Sequence, residues 1–210
     1  FAFLVDLIQM KAIVWADESI GAKFDIVDIP AAFLDEAQTM RDQLIEKVSE
    51  FDDSVMDKFL EGKTITPGEI KSALRKGVIS LKGVPVVCGA AFKNRGVQPM
   101  LDAVVDYLPS PLDVPDIVGV DVDKREKELT RKTDFNTSFS ALAFKIVSDP
   151  YVGQLTYFRV YSGVLNTGSS VYNSTKDKNE RIGRLLRMHA NQREDIKEVK
   201  AGDILKPFCP

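Results

Sequence analysis

Residues 84–100, VPVVCGAAFKNRGVQPM, pass from small apolar and β-branched side chains through Gly89 into a loop carrying Lys93, Asn94, Arg95 and Gly96, then to Pro99. The pattern predicts a strand ending at Cys88, a tight loop, and a helix from Pro99 to Leu108 with Leu101, Val104, Val105 and Leu108 turned inward. In α/β proteins, phosphates and bases are held by such loops, at the carboxyl end of a strand and the start of a helix. A phosphate cradle of the GxxxxGK[ST] type needs Lys followed by Ser or Thr where the helix begins. Val97 and Gln98 occupy that place. What the loop holds is therefore open at this point.

A second group is basic. Lys176, Lys178, Arg181, Arg184, Arg187 and Arg193 fall on an expected strand pair and its flanks, with Tyr172 and His189 nearby to stack. Arg181 and Arg187 share a parity, so an unbroken strand would present both on one face. Such a stripe can neutralise phosphates and bind structured RNA by shape. A solvated charged face is the alternative.

Catalytic chemistry is hard to assemble. His189 is the only histidine and has no cysteine or second histidine beside it, so it reads as a packed or surface residue rather than a zinc ligand. No GxSxG or HExxH spacing occurs, and DVDK at 121–124 opens like a calcium loop without the later Asp and Gly. Asp52 and Asp53 are expected as helix caps rather than as an acid/base pair. Cys88, in an apolar run, reads as a small buried hydrophobe rather than a nucleophile.

The elements that must position these groups fall into two halves. At 210 residues the chain is long enough for two domains, and its 44% apolar and 28% charged content is that of a soluble globular protein. Phe1 to Trp15 is the longest apolar stretch, but Asp6 and Lys11 interrupt it. No window approaches the roughly 18–20 uninterrupted apolar residues of a membrane span. Two distant cysteines, Cys88 and Cys209, fit a reducing cytoplasm. The net charge of −3 conceals a gradient. Residues 1–80 hold 9 Lys/Arg against 15 Asp/Glu (9 − 15 = −6), and residues 139–210 hold 11 against 7 (11 − 7 = +4). Two surfaces meeting different partners would produce this, as would uneven solvated faces. The start at Phe1, inside a strand-like run, reads as a piece of something longer.

Residues 1–29 read as strands with a turn at ADESIGAK. Pro30 is expected to open a helix at its first position. On that helix Phe33, Leu34, Ala37, Met40, Leu44, Ile45 and Val48 form the buried face, and Asp35, Glu36, Arg41, Asp42 and Glu46 the wet one. A shorter helix follows from Ser54, capped by Asp53, burying Val55, Met56, Phe59 and Leu60 and stopping at Gly62. TPGEIKSALRKG predicts a capping box of Thr66 and Glu69 with Pro67 at the first position and Gly77 as the left-handed stop. PSPLDVP, residues 109–115, is the expected linker. Residues 117–138 suggest a ragged hairpin, and from Phe139 short strand-like runs separated by turn residues predict a small antiparallel barrel.

Three long runs carry a resemblance to a known family. GVQPMLDAVVDYLPSPLDVP, ALAFKIVSDPYVGQLTYFRVYSGVL and RIGRLLRMHANQREDIKEVKAGDI resemble the central region of bacterial-type translation elongation factor G. VDLIQMKA and LEGKTITPGEIKSALRKG are similar to the subdomain inserted in its GTPase domain. The resemblance spans about residues 3–204. It implies an α+β multi-domain chain: residues 1–80 an α/β subdomain inserted in a P-loop GTPase domain, 81–108 the last strand and helix of that domain, 109–115 a linker, and 116–210 an antiparallel β-barrel of the translation-factor domain II type.

The resemblance also gives the loop a ligand. In the family this is the last guanine-nucleotide motif, whose backbone N–H groups face the base oxygen, and it falls here on Gly89, Ala90, Ala91 and Phe92, with Lys93 following. Where the family commonly has Ser, this chain has Ala90, which keeps the backbone donor and loses a hydroxyl. The parent would be a GTP-hydrolysing ribosomal translocase, with GTP or GDP and magnesium as its ligands. Its acidic insert would meet the ribosomal stalk protein, and its basic barrel the small-subunit rRNA. A monomeric, cytoplasmic protein away from membranes is implied. The chain itself lacks GxxxxGK[ST], DxxG and NKxD, so no cofactor is expected on these residues alone. A stand-alone RNA- or ribosome-binding module is the alternative. The ending LKPFCP departs from the family, and its two prolines are expected not to extend a central strand.

Overall fold

The computed structural model describes residues 3–15, 21–121, 127–149, 153–189 and 192–208. ADESI of the expected first turn, most of DVDK, Cys209 and the side chain of His189 lie outside the described residues. The chain divides into two compact units, Phe1–Asp113 and Val114–Pro210.

The first unit begins with an antiparallel sheet in the order β1 (Phe3–Asp6), β2 (Lys11–Trp15), β3 (Phe24–Val27). Asp6 shapes the β1–β2 turn by accepting the N–H groups of Ile8 and Gln9 at 2.8 and 3.1 Å. Helix α1 (Ala31–Ser49) follows, with Pro30 one position earlier than expected, at the cap. Ala12, Ile29 and Ala37 bury one contact between sheet and helix. A second cluster, Val48, Val55, Ile65, Ile70 and Ala73, joins α1 to α2 (Asp53–Leu60) and α3 (Pro67–Ile79).

The expected faces of these helices need three corrections. Phe33, Leu34 and Met40 are 45–49% exposed, and Phe59 and Leu60 also face outward. Each helix meets its neighbours along a stripe narrower than its apolar periodicity. Arg41 is not on a wet face: its Nη1 donates to the carbonyls of Leu7 at 2.5 Å and Ile8 at 2.6 Å. The α2 cap is Asp52 rather than Asp53, because Asp52 accepts Ser54 N–H at 3.0 Å and also pairs with Lys76. Those bonds hold its carboxyl below the usual range.

Helix α3 starts as its sequence dictates. Thr66 accepts Glu69 N–H at 3.4 Å, and Glu69 accepts Thr66 N–H at 2.9 Å. Gly77, however, is no stop. It lies inside the helix, where a Cβ would run into the ring of Phe51. The left-handed residue past the helix is Leu81, at φ +59°. Beyond it, residues 84–88 form no strand: Val84 and Val86 are 87% and 91% exposed, and Cys88 is exposed rather than buried. A ladder needs a neighbour, and no described strand lies beside this segment. Helix α4 (Val97–Tyr107) begins two residues before Pro99 and buries Tyr107, while Leu101, Val104, Val105 and Leu108 are 43–78% exposed.

The second unit opens with the hairpin β4 (Ile117–Val120) and β5 (Glu128–Arg131). A five-stranded antiparallel sheet follows in the order β12 (Gln192–Ile196), β11 (Arg184–His189), β14 (Ile204–Phe208), β7 (Gly153–Ser162), β6 (Ser140–Asp149). The pairs β8 (Val164–Asn166) with β13 (Glu198–Lys200), and β9 (Ser170–Asn173) with β10 (Lys178–Arg181), complete it. Phe158, Val160, Leu165, Ile182, Leu185, Val199 and Leu205 form one core drawn from the sheet and from β8–β13. Buried Ser162 donates to Ser138 O at 2.7 Å, so the Ser140 hydroxyl, 2.7 Å away, must donate to Ser162.

The chain end corrects another expectation. Lys206, Pro207 and Phe208 do extend a central strand, with Pro207 opposite Leu185. On the other side the β14–β7 pairs are Leu205 with Phe158 and then Phe208 with Leu155, and the ladder skips Lys206 and Pro207. The proline sits where the ladder is interrupted, so its missing N–H is tolerated there.

Two outcomes follow for α3. Gly77→Ala would ordinarily gain up to about 1 kcal/mol in a helix, but overpacking against Phe51 costs about 1–3 kcal/mol, so a lower urea midpoint is expected. Glu69 is pulled from 4.5 to about 2 by Lys58 and by Thr66. A lowered carboxylate stabilises the fold above its unfolded pKa and loses that contribution as the pH falls. Glu69→Gln is therefore expected to be less stable at neutral pH, with the gap in urea midpoint closing between about pH 4.5 and about pH 2.

Candidate functional site

The loop Gly89–Gly96 is built by its own backbone. Ala90 N–H donates to Arg95 O at 2.9 Å and Arg95 N–H returns to Ala90 O at 3.2 Å, closing the neck. Inside it, a 3-10 turn spans Ala91–Lys93, with Lys93 N–H on Ala90 O at 2.8 Å and Asn94 N–H on Ala91 O at 2.9 Å. The chain leaves through two left-handed residues, Asn94 at φ +52° and Gly96 at φ +81°. A Cβ at position 96 would lie 3.0 Å from Gly89 Cα, and with the positive φ this makes the closed neck strained for any residue but glycine.

This geometry separates the four expected loop residues. The Ala90 N–H is spent inside the loop, whereas those of Ala91 and Phe92 have no acceptor among the described residues. Adjacent unspent donors can bind a carbonyl oxygen or an anion. Phe92 projects wholly into solvent beside them.

One contributor comes from far along the chain. Gln98 Nε2 donates to Gly21 O at 2.9 Å, and Gly21, at φ +79°, lies so close to Asn94 that a Cβ there would collide with its backbone. The turn before β3 thus seats the loop. Nothing in the local sequence signals a contact between residues 77 positions apart.

The basic group is divided. Lys176 and Lys178 both approach Glu180, at 2.9 and 3.7 Å, and Asn173 also donates to that carboxylate at 3.0 Å. The Asn173 and Lys176 bonds hold Glu180 below the usual carboxylate range. Tyr172 donates to Asp177 at 2.6 Å, so its hydroxyl is committed while its ring is 47% exposed. Arg181 ends β10, and the strand breaks at Ile182–Gly183 before β11 begins at Arg184. Parity therefore does not carry across, and Arg181 and Arg187 lie in different sheets, which corrects the single-strand expectation. Arg184 and Arg187 are exposed on β11, with Leu185 and Leu186 buried between them, and Arg193 is exposed on β12. Arg187 borders an open depression of about 490 Å³ with Phe135, Lys197 and Lys200, two further cations that the motif reading missed.

Among the described residues, no group of three or more His, Cys, Asp or Glu could hold a metal ion, and no helix is long and apolar enough to cross a membrane. Gly96→Ala tests the loop's closure. It is expected to cost about 1 kcal/mol or more for φ strain alone and to speed amide hydrogen exchange at Ala90 and Arg95. Asn94→Gly, which suits its φ, should leave that exchange unchanged.

Comparison with known proteins adds two findings. A crystal structure from Thermus thermophilus superposes with a TM-score of 0.70 over 98% of this chain and 28% of that one, at 23% identity. The likeness is one of fold, and the chain spans little more than a quarter of that protein's length. Residues 153–206 match the family described as elongation factor Tu domain 2. The strands of the second unit are accordingly a β-barrel of the translation-factor domain II type.

Proposed function

We propose that the chain is a segment of a translational GTPase of the elongation factor G type, a GTP-driven translocase that moves tRNA and mRNA on the ribosome. The observation that carries this reading is the elongation factor Tu domain 2 match over residues 153–206. Support comes also from the first unit. The unspent N–H groups of Ala91 and Phe92 suit the oxygen of a guanine base, which adenine lacks. The bare segment 84–88 and the exposed apolar face of α4 suit one strand and one helix of a larger GTPase sheet.

In this reading GTP or GDP and magnesium belong to the longer parent, which works in the cytoplasm as a monomer. The loop Gly89–Phe92 supplies base discrimination. Arg184 and Arg187, with Arg181, Arg193, Lys176 and Lys178 around them, face small-subunit rRNA, and the acidic first unit faces the stalk protein. Charge complementarity of this kind steers association more than it fixes affinity.

Two measurements test the reading. Co-sedimentation with ribosomes over a salt series is expected to fall steeply with salt, and Arg184→Glu or Arg187→Glu should weaken it further. Salt-independent binding, or none, removes the rRNA assignment. Isothermal titration with GDP is expected to show no binding to these 210 residues, because one loop offers one or two hydrogen bonds of about 1 kcal/mol each. Micromolar GDP binding would overturn that part.

A further inference from the structure

We propose that Arg75 is a clasp that sets the length of the tether between the two units. The side chain leaves α3 and forks at the end of α4. Nη1 donates to Asp106 O at 2.9 Å and Leu108 O at 3.2 Å, with Val105 O at 3.5 Å. Nη2 donates to Asp113 Oδ2 at 2.7 Å. The same carboxylate oxygen accepts Ser110 N–H at 2.7 Å, and Asp113 N–H returns to Ser110 O at 3.0 Å. Lys71, one turn earlier on α3, pairs with Asp106 at 2.7 Å and secures the helix end from the same side.

The carbonyls that close a helix have no partners inside it. Here a guanidinium from another helix serves them, and its second arm holds a residue six positions past the helical end. The planar fork matters, since a lysine ammonium could not span both targets in a fixed direction. The linker is thereby folded back on the first unit as far as Asp113. Only Val114, Pro115 and Asp116 remain before β4 begins at Ile117. Three residues reach at most ~3.3–3.6 Å each, so the second unit has a short leash. With the clasp open, the leash begins at Pro109 and more than doubles. This inference does not depend on the functional reading, because it rests on the bonds of the first unit and on the chain count alone.

The test uses the whole chain with spin labels on one exposed site in each unit, and with Arg75→Ala and Asp113→Ala as the variants. Both are expected to raise amide exchange at Ser110 and Asp113 at least tenfold. Both should also broaden the distance distribution between the labels, with amide protection across the middle of α3 unchanged. Asp113→Ala lies outside every helix and strand, so it answers the question even if Arg75→Ala fails to fold. Faster exchange with an unchanged distance distribution would overturn the proposal, since the linker would then be loosened without lengthening the tether. Unchanged exchange would overturn it as well.

Discussion

Carbonyl groups that end a turn or a helix inside a folded unit need donors, and the first unit meets this need with guanidinium groups. Arg41 reaches from α1 to Leu7 O and Ile8 O and, at 3.4 Å, to Ile65 O. One side chain thus ties the β1–β2 turn and the approach to α3 onto the longest helix. Arg75 does the same for the end of α4. The apolar clusters that hold sheet and helices are small, three and five buried residues among those described, so these polar ties fix the arrangement that hydrophobic contact alone would leave loose.

How far the sequence could be read follows from the range of each interaction. The Thr66–Glu69 capping box was legible because every atom in it lies within four residues. The short strands of the barrel were legible for the same reason, since alternation and turn chemistry are local. Arg41 was not: its spacing put it on a solvated face, and its true partners lie 24 to 34 positions away. Gly77 looked like a helix stop until Phe51 came to lie against it. Pro207 looked like a strand breaker because the register that spares it depends on β7, some fifty residues earlier.

The candidate sites divide along the same line. A resemblance suggests a role for the loop Gly89–Phe92, but which of its N–H groups are spent is not legible in the sequence. Only the bond between Ala90 and Arg95 decides that. The basic stripe was read as one surface on the assumption of an unbroken strand. A two-residue break after Arg181 hands the following arginines to a different sheet, and Glu180 draws Lys176 and Lys178 toward itself. Cation count is a property of sequence, whereas the field a partner meets depends on which cations have carboxylates beside them.

The exposed run 84–88 has two edges that are chemically unlike. Along an extended chain, successive N–H groups point to opposite sides, so those of Val84, Val86 and Cys88 would serve one neighbour and those of residues 85 and 87 the other. Residue 85 is proline, so that second side has its carbonyl but not its N–H, and Val87 is left as the single donor there. Were the segment to pair as a strand, it would be asymmetric: one side would offer three N–H groups and the other a single one, so a neighbour would be held better on the first side than on the second.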